Sequence, residues 1–206
     1  MAEAKICGIT TPEALDAALA GGARYVGFVL HAKSPRLLND EQAAALFARV
    51  QGRAETVAVI ANAPMGRFVE RAKQLKPDWI QAHGDEDPAT LERLKPLARK
   101  GVIKAQSVAR PEDFAAAAAY APVADMFLFD AKPPKGADRQ GGHGAAFDWT
   151  MLAGRRFPRA WFLSGGLTPE NVAEAIRISG AGLVDVSSGV ESAPGLKDPS
   201  RIAQFL

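Results

Sequence analysis

Short apolar runs alternate with helical patterns along almost the whole chain. Eight of these runs are predicted strands, at residues 4–7, 25–30, 56–61, 79–82, 102–107, 126–130, 160–164 and 183–186. Strands that alternate with helices in this way indicate repeated βα units around a parallel sheet. Eight such strands predict a single domain over residues 1–206, folded as a (β/α)8 TIM barrel of the α/β class.

Helix starts are marked by capping side chains that precede a proline. This arrangement occurs at Thr11-Pro12, Asp87-Pro88, Thr168-Pro169 and Asp198-Pro199, and proline is favoured at the first position of a helix. The apolar periodicity predicts helices over residues 39–50, 65–75, 90–100 and 111–120. Residues 131–147 fit neither pattern, and their glycine and proline content predicts a long functional loop.

The composition limits the classes of protein to be considered. The 206 residues are 48% apolar and carry 25 basic and 23 acidic side chains. This near balance, without a basic run, argues against nucleic acid as a partner. No stretch approaches the roughly 18 apolar residues of a membrane span, and the N-terminus is too polar for a signal peptide. The single cysteine excludes an internal disulfide, so we expect a cytoplasmic protein that does not associate with membranes.

Two groups capable of proton transfer stand at predicted strand ends. Cys7 ends the first strand and Asp130 the sixth, and in a barrel the carboxyl ends of the strands converge on one mouth. Cys7 is either a packing residue or a base whose thiolate is favoured by the helix that begins nearby. Asp130 either caps a turn or faces the pocket, and the prolines that follow it favour the pocket. Together the two residues predict an acid/base site.

Three glycine-bearing turns predict a phosphate site at the same mouth. They are Gly141-Gly142-His143-Gly144, Gly165-Gly166 and Asp185-Val186-Ser187-Ser188-Gly189. Glycine allows several backbone N–H groups to point at one anion, and this part of a TIM barrel is its usual phosphate site. One glycine pair would be only a turn, whereas three on consecutive loops favour an anion site.

Arg36 and His83 are further candidates, each with an ordinary structural alternative. Arg36 follows Ser34-Pro35 after the second strand, and its guanidinium suits a carboxylate unless it is a surface side chain. His83 ends the fourth strand and either polarises a substrate hydroxyl or binds a loop carbonyl. His31, His83 and Cys7 lack the spacing of metal ligands, so we expect no metal.

Lys5 and Lys104 lie inside predicted strands. Either one could be a buried Schiff-base amine, but a pairing of each lysine with a carboxylate in the barrel is the favoured interpretation.

The chain resembles the phosphoribosylanthranilate isomerase family in several motifs, which occur in the family's order over nearly its whole length. The motifs are Lys5-Ile6-Cys7-Gly8-Ile9-Thr10, Lys33-Ser34-Pro35-Arg36, Gln81-Ala82-His83-Gly84, Gly142-His143-Gly144, Phe147-Asp148-Trp149, Gly165-Gly166-Leu167-Thr168-Pro169-Glu170-Asn171-Val172 and Asp185-Val186-Ser187-Ser188-Gly189-Val190-Glu191. Two residues depart from the family pattern. Ala82 replaces the usual leucine, and His143 replaces a common threonine or serine in the phosphate loop.

The resemblance implies an Amadori rearrangement in tryptophan biosynthesis. N-(5-phosphoribosyl)anthranilate, a small phosphosugar, would become 1-(2-carboxyphenylamino)-1-deoxyribulose 5-phosphate without a cofactor. Asp130 would be the general acid and Cys7 the general base. The resemblance further implies that the substrate contacts Arg36, His83, Gly142, His143, Gly144, Gly165, Gly166, Asp185, Ser187, Ser188 and Gly189, in a monomer or homodimer.

Three alternatives stay open on the sequence alone. The first is a related isomerase of histidine biosynthesis, which uses carboxylates in both roles and is disfavoured by Cys7. The second is a Schiff-base aldolase or lyase that uses Lys104. The third is a non-catalytic barrel that only binds phosphosugars.

Overall fold

A computed structural model describes residues 2–131 and 148–206. The predicted contacts of Gly142, His143 and Gly144 therefore lie outside the described residues.

Eight parallel strands close on themselves in chain order. Each strand pairs with its neighbours in sequence, and β8 pairs with β1. This closure confirms the predicted barrel. The strands are β1 Glu3–Cys7, β2 Tyr25–His31, β3 Glu55–Ile60, β4 Trp79–Ala82, β5 Gly101–Val108, β6 Met126–Ala131, β7 Ala160–Leu163 and β8 Leu183–Val186.

In the described residues, α-helices follow seven of the eight strands, and a 3-10 segment precedes β7. They are α1 Pro12–Ala20, α2 Asp40–Val50, α3 Met65–Leu75, α4 Pro88–Leu94, α5 Ala117–Tyr120, α6 Val172–Ser179 and α7 Pro199–Phe205. Short 3-10 segments occupy Lys95–Leu97, Pro111–Ala116, Trp149–Leu152 and Ser188–Val190. The caps predicted at Thr11, Asp87 and Asp198 are confirmed, because each of these side chains accepts a backbone N–H of the first turn. None of the described helices is long and apolar enough to cross a bilayer.

Three helix predictions differ from the structure. The helix predicted to begin after Thr168 begins at Val172, because Asn171 bridges the Thr168 N–H and the Gly166 carbonyl and stabilises a turn instead. The helix predicted over residues 90–100 ends at Leu94, where Pro96 interrupts the pattern of backbone donors. The segment predicted as helix over 111–120 is a 3-10 helix for its first six residues and α-helical only in its last four.

A small hairpin after β8 was not predicted. Its strands, β9 Glu191–Ala193 and β10 Leu196–Lys197, pair antiparallel. The Thr10 hydroxyl donates to the Gly195 carbonyl at 3.0 Å. A side chain at Gly195 would lie 2.8 Å from the Pro35 carbonyl oxygen. The hairpin therefore packs against the loops that follow β1 and β2, at the mouth of the barrel.

The apolar core consists of two layers separated by the sheet. One cluster fills the inside of the barrel and comprises Cys7, Tyr25, Val29, Val57, Val59, Ile103, Ala105, Met126, Leu128 and Phe162. The other lies between the sheet and the helices and includes Phe127 and Phe129. Successive side chains of a strand point to opposite faces, so Asp130 points inward like Met126 and Leu128.

Candidate active site

A chain of hydrogen bonds leads from Asp130 to the middle of the barrel. Asp130 Oδ2 lies 3.2 Å from His83 Nε2, and His83 Nδ1 lies 2.7 Å from Gln81 Nε2. Gln81 Oε1 in turn accepts a hydrogen bond from Lys5 Nζ at 2.7 Å. All four residues are at least largely buried. His83 therefore contacts the proposed acid instead of a loop carbonyl.

The direction of these hydrogen bonds is fixed by Lys5. An ammonium group has donors only, so the oxygen of the Gln81 amide must face it and the amide nitrogen must face His83. His83 Nδ1 then accepts, and its Nε2–H donates to Asp130 Oδ2. A side chain at Gly165 would lie 3.0 Å from Asp130 Oδ1. The second carboxyl oxygen is thus next to one of the predicted phosphate turns.

Lys5 is completely buried and is neutralised by Asp185. Its Nζ lies 2.9 Å from Asp185 Oδ1, and the Ser164 hydroxyl donates to Asp185 Oδ2 at 3.2 Å. Burial would lower the pKa of Lys5, but Asp185 and Cys7 outweigh it and the pKa is raised. The ammonium form therefore persists inside the barrel. Asp185, predicted as a substrate contact, has a carboxylate that binds Lys5 and Ser164.

Cys7 lies inside the barrel next to Lys5. The two residues are on the same face of β1, and Gly27 of β2 is the registered partner of Cys7. A side chain at Gly27 would stand 2.9 Å from Cys7 Sγ and 3.2 Å from Lys5 Cε. Burial raises the pKa of the Cys7 thiol, while the charges of Lys5 and Lys197 oppose that rise. The thiolate thus depends on neighbouring cations.

Arg36 belongs to a second buried cluster. Its Nε and Nη2 donate to the two carboxylate oxygens of Glu191, each at 2.7 Å. Lys197 Nζ lies 2.6 Å from Glu191 Oε1 and 3.2 Å from the Ser187 carbonyl oxygen. Gly8, with φ of 75°, leaves room for the Arg36 side chain to pass. The cluster connects the loop after β2 to the turn after β8.

The two described glycine turns adjoin each other. Gly165 and Gly166 have φ of 89° and 66°, a conformation that favours glycine. Gly189 packs against the Leu167 carbonyl, because a side chain at Gly189 would collide with that oxygen. Ser187 and Ser188 precede Gly189 and are partly exposed. The turns after β7 and β8 therefore form one surface at the barrel mouth.

A family model described as N-(5'phosphoribosyl)anthranilate (PRA) isomerase matches residues 4–206. The chain belongs to this family. The N-(5'-phosphoribosyl)anthranilate isomerase of Caulobacter sp. (strain K31) is 50% identical to it over 208 residues, covering 100% of this chain and 97% of the relative. The match confirms the resemblance noted in the sequence and argues against the histidine-biosynthesis alternative.

Solved isomerases of the family share the fold. A crystal structure of phosphoribosyl anthranilate isomerase from Thermotoga maritima matches with a TM-score of 0.88 and 35% identity, covering 100% of this chain and 97% of the other. A second structure holds such an isomerase in complex with reduced 1-(o-carboxyphenylamino)-1-deoxyribulose 5-phosphate. It has a TM-score of 0.85 and 33% identity, with coverage of 100% and 96%.

Lys104 lies outside the barrel interior. It shares a face of β5 with Val102 and Val108, which belong to the outer layer, and its Nζ donates to the Gly84 carbonyl. Glu86 Oε2 is 3.8 Å away, so the pairing with a carboxylate is confirmed. Because Lys104 points to the outside of the barrel, it cannot form a Schiff base with a substrate bound inside the mouth.

Among residues 2–131 and 148–206, no three histidine, cysteine or carboxylate side chains lie together as a metal site.

The partners of the predicted site residues do not follow from the sequence. The sequence predicts no role for Glu191 or Lys197, although the family motif includes Glu191. Nothing in the local spacing marks Lys197, because the unpredicted hairpin brings it back to the barrel mouth. Gln81 could have been found, since it is a polar residue in an apolar strand, two positions from His83 and on the same face.

Proposed function

We propose that this member of the isomerase family carries out the Amadori rearrangement of N-(5-phosphoribosyl)anthranilate in tryptophan biosynthesis, with Asp130 as general acid and Cys7 as general base. The observation that carries the assignment of roles is the hydrogen-bonded chain from Asp130 through His83 and Gln81 to Lys5, which adjoins Cys7. A related isomerase binds a reduced form of the expected product.

The first step is protonation of the sugar ring. Asp130 gives a proton from Oδ1 to the furanose ring oxygen while His83 holds Oδ2. The bond from C1′ to that oxygen breaks, and the nitrogen lone pair forms an iminium ion with C1′. The positive charge acidifies the hydrogen on C2′, so the second step needs only a base of moderate strength.

The second step is removal of the C2′ hydrogen by the Cys7 thiolate. The electron pair of the C–H bond forms a double bond between C2′ and C1′, and the iminium nitrogen recovers its lone pair. The enolamine then loses the proton of its 2′-hydroxyl and gains one at C1′, which gives the ketone. Solvent returns the proton from Cys7 to Asp130, so no cofactor is consumed.

The two ends of the substrate are held at the barrel mouth, the phosphate by the glycine turns and the anthranilate carboxylate by Arg36. The turns that contain Gly165, Gly166, Ser187, Ser188 and Gly189 hold the phosphate through backbone donors. Gly142, His143 and Gly144 lie outside the described residues, and their part in the phosphate site stays a prediction from the sequence. Glu191 occupies one edge of the Arg36 guanidinium. The N–H groups of Arg36 that do not bind Glu191 donate to the anthranilate carboxylate. Binding at both ends sets the sugar between the acid and the base.

The assembly and location of the protein complete the proposal. The enzyme works in the cytoplasm on a small phosphosugar, as a monomer or homodimer, without nucleic acid or membrane partners.

A substrate comparison tests the function. Purified protein should consume freshly made phosphoribosylanthranilate, and the loss of the substrate's anthranilate fluorescence measures this consumption. It should not turn over the phosphoribosyl imidazole substrate of the histidine-pathway isomerase, and borohydride should trap no adduct. Binding of the phosphosugar without any fluorescence change would instead support the non-catalytic barrel, and a trapped adduct would support the aldolase.

A further inference from the structure

A buried lysine inside the barrel has no part in the steps described so far. Lys5 is fully shielded from solvent, yet its ammonium group is retained by Asp185 and Gln81. A buried ion pair of this kind contributes little net stability compared with apolar residues of similar volume. The position of the charge therefore points to a role other than packing.

The position of Gly27 places the ammonium-bearing side chain against the thiol. Cys7 and Lys5 are two residues apart on β1 and point to the same face. Both lie over Gly27, where a methyl group would stand 2.9 Å from Cys7 Sγ and 3.2 Å from Lys5 Cε. The missing side chain allows these two groups to share one space inside the barrel.

The charges around Cys7 oppose one another. Lys5 and Lys197 favour the thiolate, whereas burial and the Asp185 carboxylate disfavour it. Lys197 is already held at 2.6 Å by Glu191. Lys5 lies two residues from the thiol on the same strand, and its compensating carboxylate, Asp185, is its registered neighbour on β8.

Lys5 also reaches Asp130 through neutral side chains. Because its donors fix the orientation of the Gln81 amide, they also fix which nitrogen of His83 carries the proton. The His83 Nε2–H then holds Asp130 Oδ2 and leaves Oδ1 at the Gly165 turn.

We propose that Lys5 is a positioning residue for both proton-transfer groups: its charge holds the Cys7 thiolate, and its hydrogen bonds orient Asp130 through Gln81 and His83. The inference rests on the proposed function for the roles of Cys7 and Asp130. The contact between Lys5 and Cys7 does not depend on those roles and is tested separately.

The thiolate can be titrated directly, because Cys7 is the only cysteine in the chain. Its ultraviolet absorbance is followed against pH, with Cys7→Ser as the blank. Lys5→Met should raise the pKa of the thiol by about one unit or more, the usual effect of losing an opposite charge at close range. The limb of the pH profile of kcat/KM that reports the Cys7 thiol should shift by the same amount.

A second pair of variants protects the test against misfolding. Lys5→Met leaves Asp185 buried without its partner, so the change is repeated in an Asp185→Asn background. The double variant should titrate at least about one unit above Asp185→Asn alone. Lys104→Met is the matched control, since it removes a buried lysine on the outer face of β5 and should leave the titration of Cys7 unchanged.

Gln81→Met tests the arm that reaches Asp130. It interrupts the chain but leaves Lys5 beside Cys7, so turnover should fall about tenfold or more while the thiol titrates as in the wild type. Turnover equal to wild type would overturn this arm. Identical thiol titrations with and without Lys5 would overturn the proposed effect of the Lys5 charge on Cys7. If the titration shifts but Cys7→Ser still turns over normally, the contact stands and the proposed base is wrong.

Discussion

Asp130 and Cys7 are the last inward-facing residues of their strands. For Asp130 this orientation follows from the sequence, because Met126, Leu128 and Asp130 alternate with the outward-facing Phe127 and Phe129. The hydrogen-bond partners of Arg36 do not follow from any such pattern. Its guanidinium binds Glu191, which lies 155 residues away in the chain. Local periodicity carries no information about such a distant contact.

Glu191 makes the stability of the protein depend on pH. Burial would raise the pKa of its carboxyl, but Arg36 and Lys197 outweigh burial and lower it. A carboxyl whose pKa is lower in the folded state stabilises that state above its unfolded pKa of about 4.3. This contribution is lost as the pH falls through the folded value.

Glu191→Gln should therefore destabilise the protein more at neutral than at acidic pH. We expect a loss of roughly 3 kcal/mol near pH 7, because two buried cations lose their shared partner. The difference from wild type should shrink toward about pH 3, as measured by denaturant unfolding at both pH values. Glu174→Gln is the control, since its pair with Arg177 is exposed and should matter little. An equal loss at both pH values would contradict this account.

At the scale of elements, the strands were predictable and several helix ends were not. Strands inside a barrel are buried on both faces and are visible as apolar runs. The end of α4 depends on Pro96 and the start of α6 on the side-chain bridge made by Asn171. The hairpin of β9 and β10 has only five strand residues and little apolar pattern, so its position depends on packing against the loops at the mouth.

The contact between the turns after β7 and β8 leads to a prediction for Gly189. In Gly189→Ala the new methyl group would collide with the Leu167 carbonyl and push the two turns apart. We expect a loss of about 1–3 kcal/mol in the free energy of unfolding, together with a higher KM for the phosphosugar. Thermal unfolding and steady-state kinetics measure the two effects.

Gly182→Ala provides the matched control for that prediction. Gly182 precedes β8, and a side chain there meets no atom within 4 Å. Both measured quantities should stay near their wild-type values in this variant. A Gly189→Ala protein with unchanged KM and stability would show that the two turns do not form one site.

At the scale of the whole molecule, the barrel brings together residues that are distant in the sequence. Lys5 binds Asp185 across 180 residues and Gln81 across 76. The family resemblance correctly indicated the barrel and the isomerase family. It did not indicate the network inside the barrel, because the ion pair of Lys5 with Asp185 and the hydrogen bond of Lys5 to Gln81 depend on which inward-facing positions lie at the same height in the barrel.

The central claim is that Cys7 and Asp130 perform the two proton transfers. Its most direct test is the kcat of Cys7→Ser and Asp130→Asn with phosphoribosylanthranilate. The rate is measured from the loss of substrate fluorescence at saturating substrate. Both variants should fold and unfold thermally like the wild type, while kcat falls at least about a hundredfold in each. Turnover close to wild type in either variant would contradict the account.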